Sequence, residues 1–191
     1  MLNQSSLQKI KKDLESFDRT RETVIKNSRD ILKHSKKAVY CVHRNEKAQA
    51  ESLINKAKKD IEKINALAKN DTDVESIGAF LDALEEYVEA CCFFNHTYTH
   101  NIPTNTELRV NGEMYLRGLS DFTGELVRKA VRLATLKKYG EVFKIRDLIE
   151  EIYGFFLELN LRNGTLRKKV DSIKWNLQKI EDIVYNINMK K

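Results

Sequence analysis

A single proline and seven glycines are all that the 191-residue chain offers to interrupt a helix. With no Pro/Gly-rich stretch to serve as a linker, one continuous domain over residues 1–191 is expected. The cysteines number three, an odd count, and Cys91 and Cys92 are adjacent. Such a set describes no disulfide framework and points to a reducing compartment, the cytoplasm. Long apolar runs are missing too. Nothing approaches the ~18 consecutive apolar residues that a membrane span needs, and the first residues hold no apolar signal core, so no membrane association is expected. Strand signals also fail, because apolar and polar residues nowhere alternate persistently between turns.

What is present is charge and helical periodicity. Charged residues make up 32% of the chain and hydrophobic ones 41%, with Lys, Glu, Leu and Ile prominent, as long amphipathic helices require. Leu7, Ile10, Leu14, Phe17, Val24, Ile31, Ala38 and Val42 fall on one stripe, with Arg21, Ser28 and Ser35 in the intervening positions. This predicts one unbroken helix over about 6–43, too long for a compact domain to cover alone. A second helix carries Leu53, Ala57, Ile61, Ile64 and Ala68 and stops at a polar turn over 69–73. A third starts near Ser76 and sends Phe80, Leu81, Leu84, Val88 and Cys91 inward. Past a turn-rich segment around Pro103, a fourth is predicted over 112–138, ended by Gly140 as a C-cap. A fifth spans 142–159, Asn163 and Gly164 form a turn, and the last carries Leu166, Val170, Ile173, Leu177, Ile180 and Val184. The fold class is therefore all-α, a bundle of six helices by this count.

Two helices carry acids at helical spacing. Glu86 and Glu89 lie at i and i+3, Asp121 and Glu125 at i and i+4, so each pair stacks on one side of its helix, and Gly124 offers room for a close approach. Four carboxylates on consecutive helices suit Mg²⁺ or Mn²⁺, which prefer hard oxygen donors plus water and substrate phosphate. The same spacing also serves an ordinary solvated face, with Arg128 and Lys129 available to pair with Glu125. A ferritin-like di-iron site is disfavoured, since no Glu-x-x-His lies on the helices. His96 and His100 are i,i+4 but have no accompanying HExxH or CxxC for zinc.

Basic residues are ordered as well. Lys12, Arg19, Lys26 and Lys33 recur every seven residues on the first helix, and Arg167, Lys168, Lys169, Lys174 and Lys179 cluster around Trp175 on the last. Net charge is +6 with a pI near 9.1, which permits a polyanionic partner, although 34 bases set against 28 acids equally describe a solvated surface. Clusters of this kind can grip phosphates, and an aromatic among them can stack on bases. Trp175 serves equally as a half-buried core residue.

Several segments resemble the translin family, and its factor X branch in particular. ArgGluThrValIleLysAsnSerArgAspIle at 21–31 with HisArg at 43–44 resembles the first-helix signature. GluTyrValGluAla at 86–90 and TyrLeuArgGlyLeuSerAspPheThrGlyGluLeuValArg at 115–128 resemble the two helices that hold the acids of factor X, while 159–185 looks more like translin itself. The resemblance implies seven helices and assembly into a hollow octamer, here a homo-oligomer. It implies binding of single-stranded RNA or DNA and Mg²⁺-dependent cleavage of RNA, with Glu86, Glu89 and Asp121 as catalytic acids and Glu125 as a fourth. The basic stretch that many members carry before the acidic pair is absent, since 66–80 read AlaLeuAlaLysAsnAspThrAspValGluSerIleGlyAlaPhe. The expected function is thus a metal-dependent endoribonuclease, with Lys12, Arg19, Lys26, Lys33, Arg167, Lys168, Lys169 and Lys174 holding the strand. A noncatalytic single-strand-binding scaffold is the alternative.

Overall fold

The computed structural model describes residues 2–68, 76–162 and 164–189. The turn expected over 69–73, and Asn163 of the Asn-Gly turn, lie outside the described residues. Among the described residues seven helices follow one another: α1 Gln4–His43, α2 Lys47–Ala68, α3 Gly78–Tyr98, α4 Asn105–Leu108, α5 Gly112–Thr135, α6 Tyr139–Glu158 and α7 Thr165–Met189. Among the described residues there is no strand, and no helix is long and apolar enough to cross a membrane.

Local chemistry sets most of the boundaries. The Asn3 side chain caps α1 by accepting from the Ser6 N–H, and the helix ends where Asn45 turns left-handed at φ 62°. The seventh helix is the short α4, inside the segment that looked like plain turn. Pro103 precedes Thr104, whose hydroxyl and the Glu107 carboxylate complete a reciprocal capping box. Asn111 caps α5 through the Met114 N–H. Gly140 does not end α5. The helix stops at Thr135, Lys137 takes the left-handed conformation at φ 58°, and Gly140 already lies in the first turn of α6. A short polar loop thus performs the reversal that the glycine was expected to make.

The helices pack side by side around one core. α1 lies against α2 and α3, α3 against α5, and α5 against α6 and α7, which also touch each other. Val24, Ile31, Ala38 and Val42 are buried, and Ser28 and Ser35 complete that stripe because both are small enough to fit beneath neighbours; Ser28 Oγ donates to the Val24 carbonyl. The same stripe fails toward the N-terminus. Leu7, Ile10 and Leu14 are 41%, 51% and 59% exposed among the described residues. With 40 residues at ~1.5 Å each, α1 is about 60 Å long, and only its second half is covered.

The contact that matters most to the site is between α3 and α5. A Cβ placed on Gly118 would lie 2.6 Å from the Glu85 carbonyl oxygen and 2.6 Å from Val88 Cβ. Only a glycine lets the two helices approach this closely. Gly124, the position suspected from sequence, has merely Asn176 Nδ2 at 3.6 Å. The tight crossing therefore lies six residues earlier, just ahead of Asp121, and draws the acidic faces of both helices together.

Candidate functional site

Where α3 and α5 cross, five carboxylates gather. Glu85, Glu86 and Glu89 come from α3, Asp121 and Glu125 from α5. Four of the five have cationic partners. Lys36 Nζ of α1 lies 3.1 Å from Glu86 Oε1. Lys169 Nζ of α7 sits between Glu85 and Asp121, at 2.5 Å from Glu85 Oε1 and at 2.6 and 2.7 Å from the two Asp121 oxygens. Arg117 lies 2.5 Å from Glu85 Oε2 and 3.3 Å from Asp82 Oδ1. The His43 Nε2 of α1 hydrogen-bonds Glu125, which also has Arg128 at 3.6 Å. Glu89 is the exception: among the described residues it has no hydrogen-bonding or ion-pairing partner within reach.

The charges respond accordingly. Burial pushes the Glu89 carboxyl up to about 8, helped by repulsion from Glu86, Asp121 and Glu125, so it is protonated at neutral pH. Burial raises Asp121 to about 6, reinforced by the adjacent Glu85 and opposed by Lys169. Burial acts the same way on Glu85 and Glu125 but is overcome. Hydrogen bonds accepted from the Asp121 carboxyl and from Lys169 hold Glu85 low, and His43 and Arg128 do so for Glu125. Lys169 loses charge stability through burial, yet its two carboxylate partners more than restore it.

Lys169 was grouped by sequence with the bases that hold a strand; the fold instead turns it inward onto the acids. Its backbone carbonyl accepts from Ser120 Oγ, and Asn176 Nδ2 donates to Thr123 Oγ1, so α7 is pinned to α5 on both sides of Asp121. Lys12, Arg19, Lys26, Lys33, Arg167, Lys168 and Lys174 are exposed, as phosphate contacts require, and Trp175 is 62% exposed rather than in the core. Sequence reasoning missed Glu85, His43, Arg117 and Lys36. Glu85 had a signal, because it lies at i and i+4 with Glu89, a better stacking distance than Glu86 offers. Arg117 lies on α5 at i and i+4 with Asp121 and so had a spacing signal too, whereas Lys36 and His43 come from α1, far along the chain, and carry none. His96 packs edge-on against Phe122 at 5.7 Å, and burial lowers its pKa to about 4, while His100 is exposed in a left-handed turn.

Hard carboxylate donors are the right chemistry for Mg²⁺ or Mn²⁺, and Glu89 is a half-buried acid with no cation beside it. The side chains as they stand are closed around organic cations, however. Among the described residues no three His, Cys, Asp or Glu side chains are gathered closely enough to hold a metal ion. Glu86, Glu89, Asp121 and Glu125 are the residues that would do so after Lys169 withdraws from Asp121.

A long exposed first helix and acids massed at one glycine-permitted crossing define an all-helical protein with a polar, charged interior site. The chain belongs to the translin family, whose sequence model matches residues 19–191. It is 28% identical over 176 residues to an uncharacterized protein of Methanocaldococcus jannaschii, covering 90% of this chain and 78% of that protein. Against translin of Gallus gallus it is 37% identical over 78 residues, 41% of this chain but 34% of that protein. Against translin-associated protein X of Pongo abelii it is 22% identical over 210 residues, covering 88% and 72%. Its backbone superposes on AfC3PO in a duplex RNA complex with a TM-score of 0.88 at 24% identity, over 97% of this chain and 98% of that one. Apo-NeC3PO gives 0.85 at 22% identity, over 98% of each chain.

Proposed function

We propose that this protein binds single-stranded RNA and cleaves it as a metal-dependent endoribonuclease, with Glu86, Glu89, Asp121 and Glu125 holding Mg²⁺ or Mn²⁺. The observation that carries the reading is Glu89. A half-buried carboxyl that burial and three neighbouring carboxylates keep protonated, with no ion-pair partner of its own among the described residues, is a ligand that a divalent ion would claim by displacing its proton. A bound ion there would supply an activated water and neutralise charge on the phosphodiester. His43 orients Glu125, Lys36 steadies Glu86, and Lys169 keeps Asp121 compensated until the site is loaded. The exposed bases of α1 and α7 hold the strand, and Trp175 offers a stacking face. The family and the likeness to AfC3PO, solved with duplex RNA, support an RNA ligand.

Self-association into a hollow shell, an octamer, is part of the same proposal. Leu7, Ile10 and Leu14 on the uncovered half of α1, with Phe155 and Leu157 on α6, supply apolar surface that the monomer leaves open. Three free cysteines suit a reducing cytoplasm.

The other reading is a noncatalytic single-strand-binding scaffold, and the ion pairs favour it: four of the five acids already have a lysine or arginine of this chain beside them. Incubation of the purified protein with labelled single-stranded RNA separates the two. Cleavage that requires Mg²⁺, stops in EDTA and vanishes in Asp121→Asn supports the nuclease; tight binding that leaves the RNA intact under all conditions supports the scaffold.

A further inference from the structure

Beyond the acidic crossing, the same face of α5 changes sign. Asp121, Glu125 and Lys129 follow one another at i, i+4 and i+8, and Arg132 lies one turn further. Lys129 and Arg132 open onto a cavity of about 250 Å³ formed where the ends of α1 and α3 meet α5 and the start of α6. Its walls include His43, Phe93, Thr97 and Lys138. His43 belongs to both places, since its ring holds Glu125 while its backbone carbonyl accepts from the Arg132 guanidinium inside the cavity.

The cavity wall carries three cationic side chains, Lys129, Arg132 and Lys138, against the single carboxylate of Glu141. Lys129 Nζ is half-buried, held by Thr97 Oγ1 at 3.1 Å and placed 6.0 Å from the centre of the Phe93 ring. Among the described residues neither Lys129 nor Arg132 has a carboxylate within ion-pair distance. The one acid in the wall, Glu141, sits 3.6 Å from Lys138 and is exposed with it. Burial lowers the Lys129 pKa, opposed only by the more distant Glu141. A cation taken out of water without an anion is costly, and that cost is relieved when an anion enters. The walls present N–H donors on long stems, suited to an oxyanion with several acceptor oxygens.

We propose that this cavity is a phosphate-binding subsite, in which Lys129 and Arg132 take one phosphate of a nucleotide strand while the neighbouring phosphodiester lies over the acids beyond His43. The position of the second phosphodiester rests on the nuclease reading; the phosphate subsite itself does not. Such a subsite sets the register of the strand on the acidic crossing, a task that the scattered exposed lysines of α1 and α7 cannot perform.

The test is calorimetric titration of uridine 5′-monophosphate into the full chain in EDTA, so that no metal takes part. The wild-type protein is expected to bind, and Lys129→Met to bind about tenfold more weakly or worse, as loss of one charge-assisted hydrogen bond implies. Thr97→Asp, which sets a carboxylate beside Lys129, should weaken binding similarly, and the exposed Lys144→Met should not. Thr97→Asp also keeps the test decisive if Lys129→Met folds poorly. Inorganic phosphate competing with the nucleotide supports the subsite, whereas uridine binding as tightly as its monophosphate overturns it. A 5′-phosphorylated single strand binding more tightly than its 5′-hydroxyl counterpart assigns the subsite to a terminal phosphate; equal binding of both, still weakened by Lys129→Met, assigns it to an internal one. Equal affinity of wild type and Lys129→Met for the monophosphate, or no binding by either, overturns the proposal. Because metal is absent throughout, the nuclease reading can fail in its own Mg²⁺ assay while the subsite stands, and the reverse.

Discussion

The two halves of one face of α5 solve opposite electrostatic problems. At Asp121 and Glu125 negative charge is crowded and this chain supplies its own cations, Lys169 and Arg128, with His43 hydrogen-bonded to Glu125. At half-buried Lys129 and exposed Arg132 the direct partners are a hydroxyl and a carbonyl oxygen, and the carboxylate in the same wall, Glu141, lies beside Lys138 instead. The difference teaches where ligands belong. A self-neutralised cluster must be opened before a metal can enter, whereas an uncompensated cationic cavity is ready for an anion. Glu89 is the one acid that breaks the first pattern, and so it marks where the acidic half is incomplete.

The largest expected effect sharpens the acidic half. Asp121→Asn and Glu89→Gln should each lower Mg²⁺-dependent cleavage of single-stranded RNA by at least ~100-fold in a single-turnover assay, since each removes a carboxyl that would ligate the ion as a carboxylate once its proton or ammonium partner is displaced. RNA binding in EDTA should survive both changes.

Next comes Lys169→Met, which strands Glu85 and Asp121 without their shared cation. Breaking a buried pair by removing one partner costs about 3–5 kcal/mol. At roughly 2–4 °C per kcal/mol for a chain of this size, thermal unfolding should fall by about 6–20 °C. Mn²⁺ should recover part of that loss and bind this variant more tightly than wild type, because it no longer competes with an ammonium group for Asp121. Unchanged unfolding and unchanged Mn²⁺ affinity would refute the role given to Lys169.

A third pair of variants tests the crossing that gathers the acids. Gly118→Ala drives a methyl into the Glu85 backbone and Val88 and should cost about 1–3 kcal/mol. Gly124→Ala meets only an amide nitrogen at 3.6 Å and, with its better helix propensity, should be neutral or stabilising by up to about 1 kcal/mol. Chemical denaturation of both proteins checks the contrast.

The smallest effect is the pH dependence of Glu89. In the fold it keeps its proton to about pH 8, whereas unfolded it gives the proton up near pH ~4.3. Between those values the folded state binds the extra proton, so stability contributed by Glu89 is full below the lower value and falls as pH rises through the upper one. Glu89→Gln should flatten that decline and unfold a few degrees above wild type at pH 9, read by thermal melts from pH 4 to 9.

Sequence periodicity was enough to find the six longer helices, because their apolar stripes record which side meets the core. It also found four of the five gathered acids. It also indicated that the first stripe is too long for the domain to cover, and Leu7 and Val24, which share that stripe, bear this out: Val24 is buried and Leu7 is 41% exposed. It chose Gly124 over Gly118 because the tightness of a crossing depends on the opposing helix, here Glu85 and Val88, and leaves no local mark. Of the acids' partners, Arg128 was legible at i+3 from Glu125, while the distant ones were illegible for the same reason: Lys169 lies 48 residues from Asp121, and His43 lies 82 from Glu125. A basic residue on an amphipathic helix reads the same whether it faces solvent or an acid on another helix.

The central claim is that the acids at the α3–α5 crossing share a divalent ion. Anomalous diffraction from crystals soaked in Mn²⁺ tests it directly. A peak at about 2.0–2.3 Å from carboxylate oxygens of both Glu89 and Asp121, with Lys169 moved off Asp121, is the predicted result. Manganese bound only elsewhere, or none bound while Lys169 still bridges Glu85 and Asp121, would contradict it.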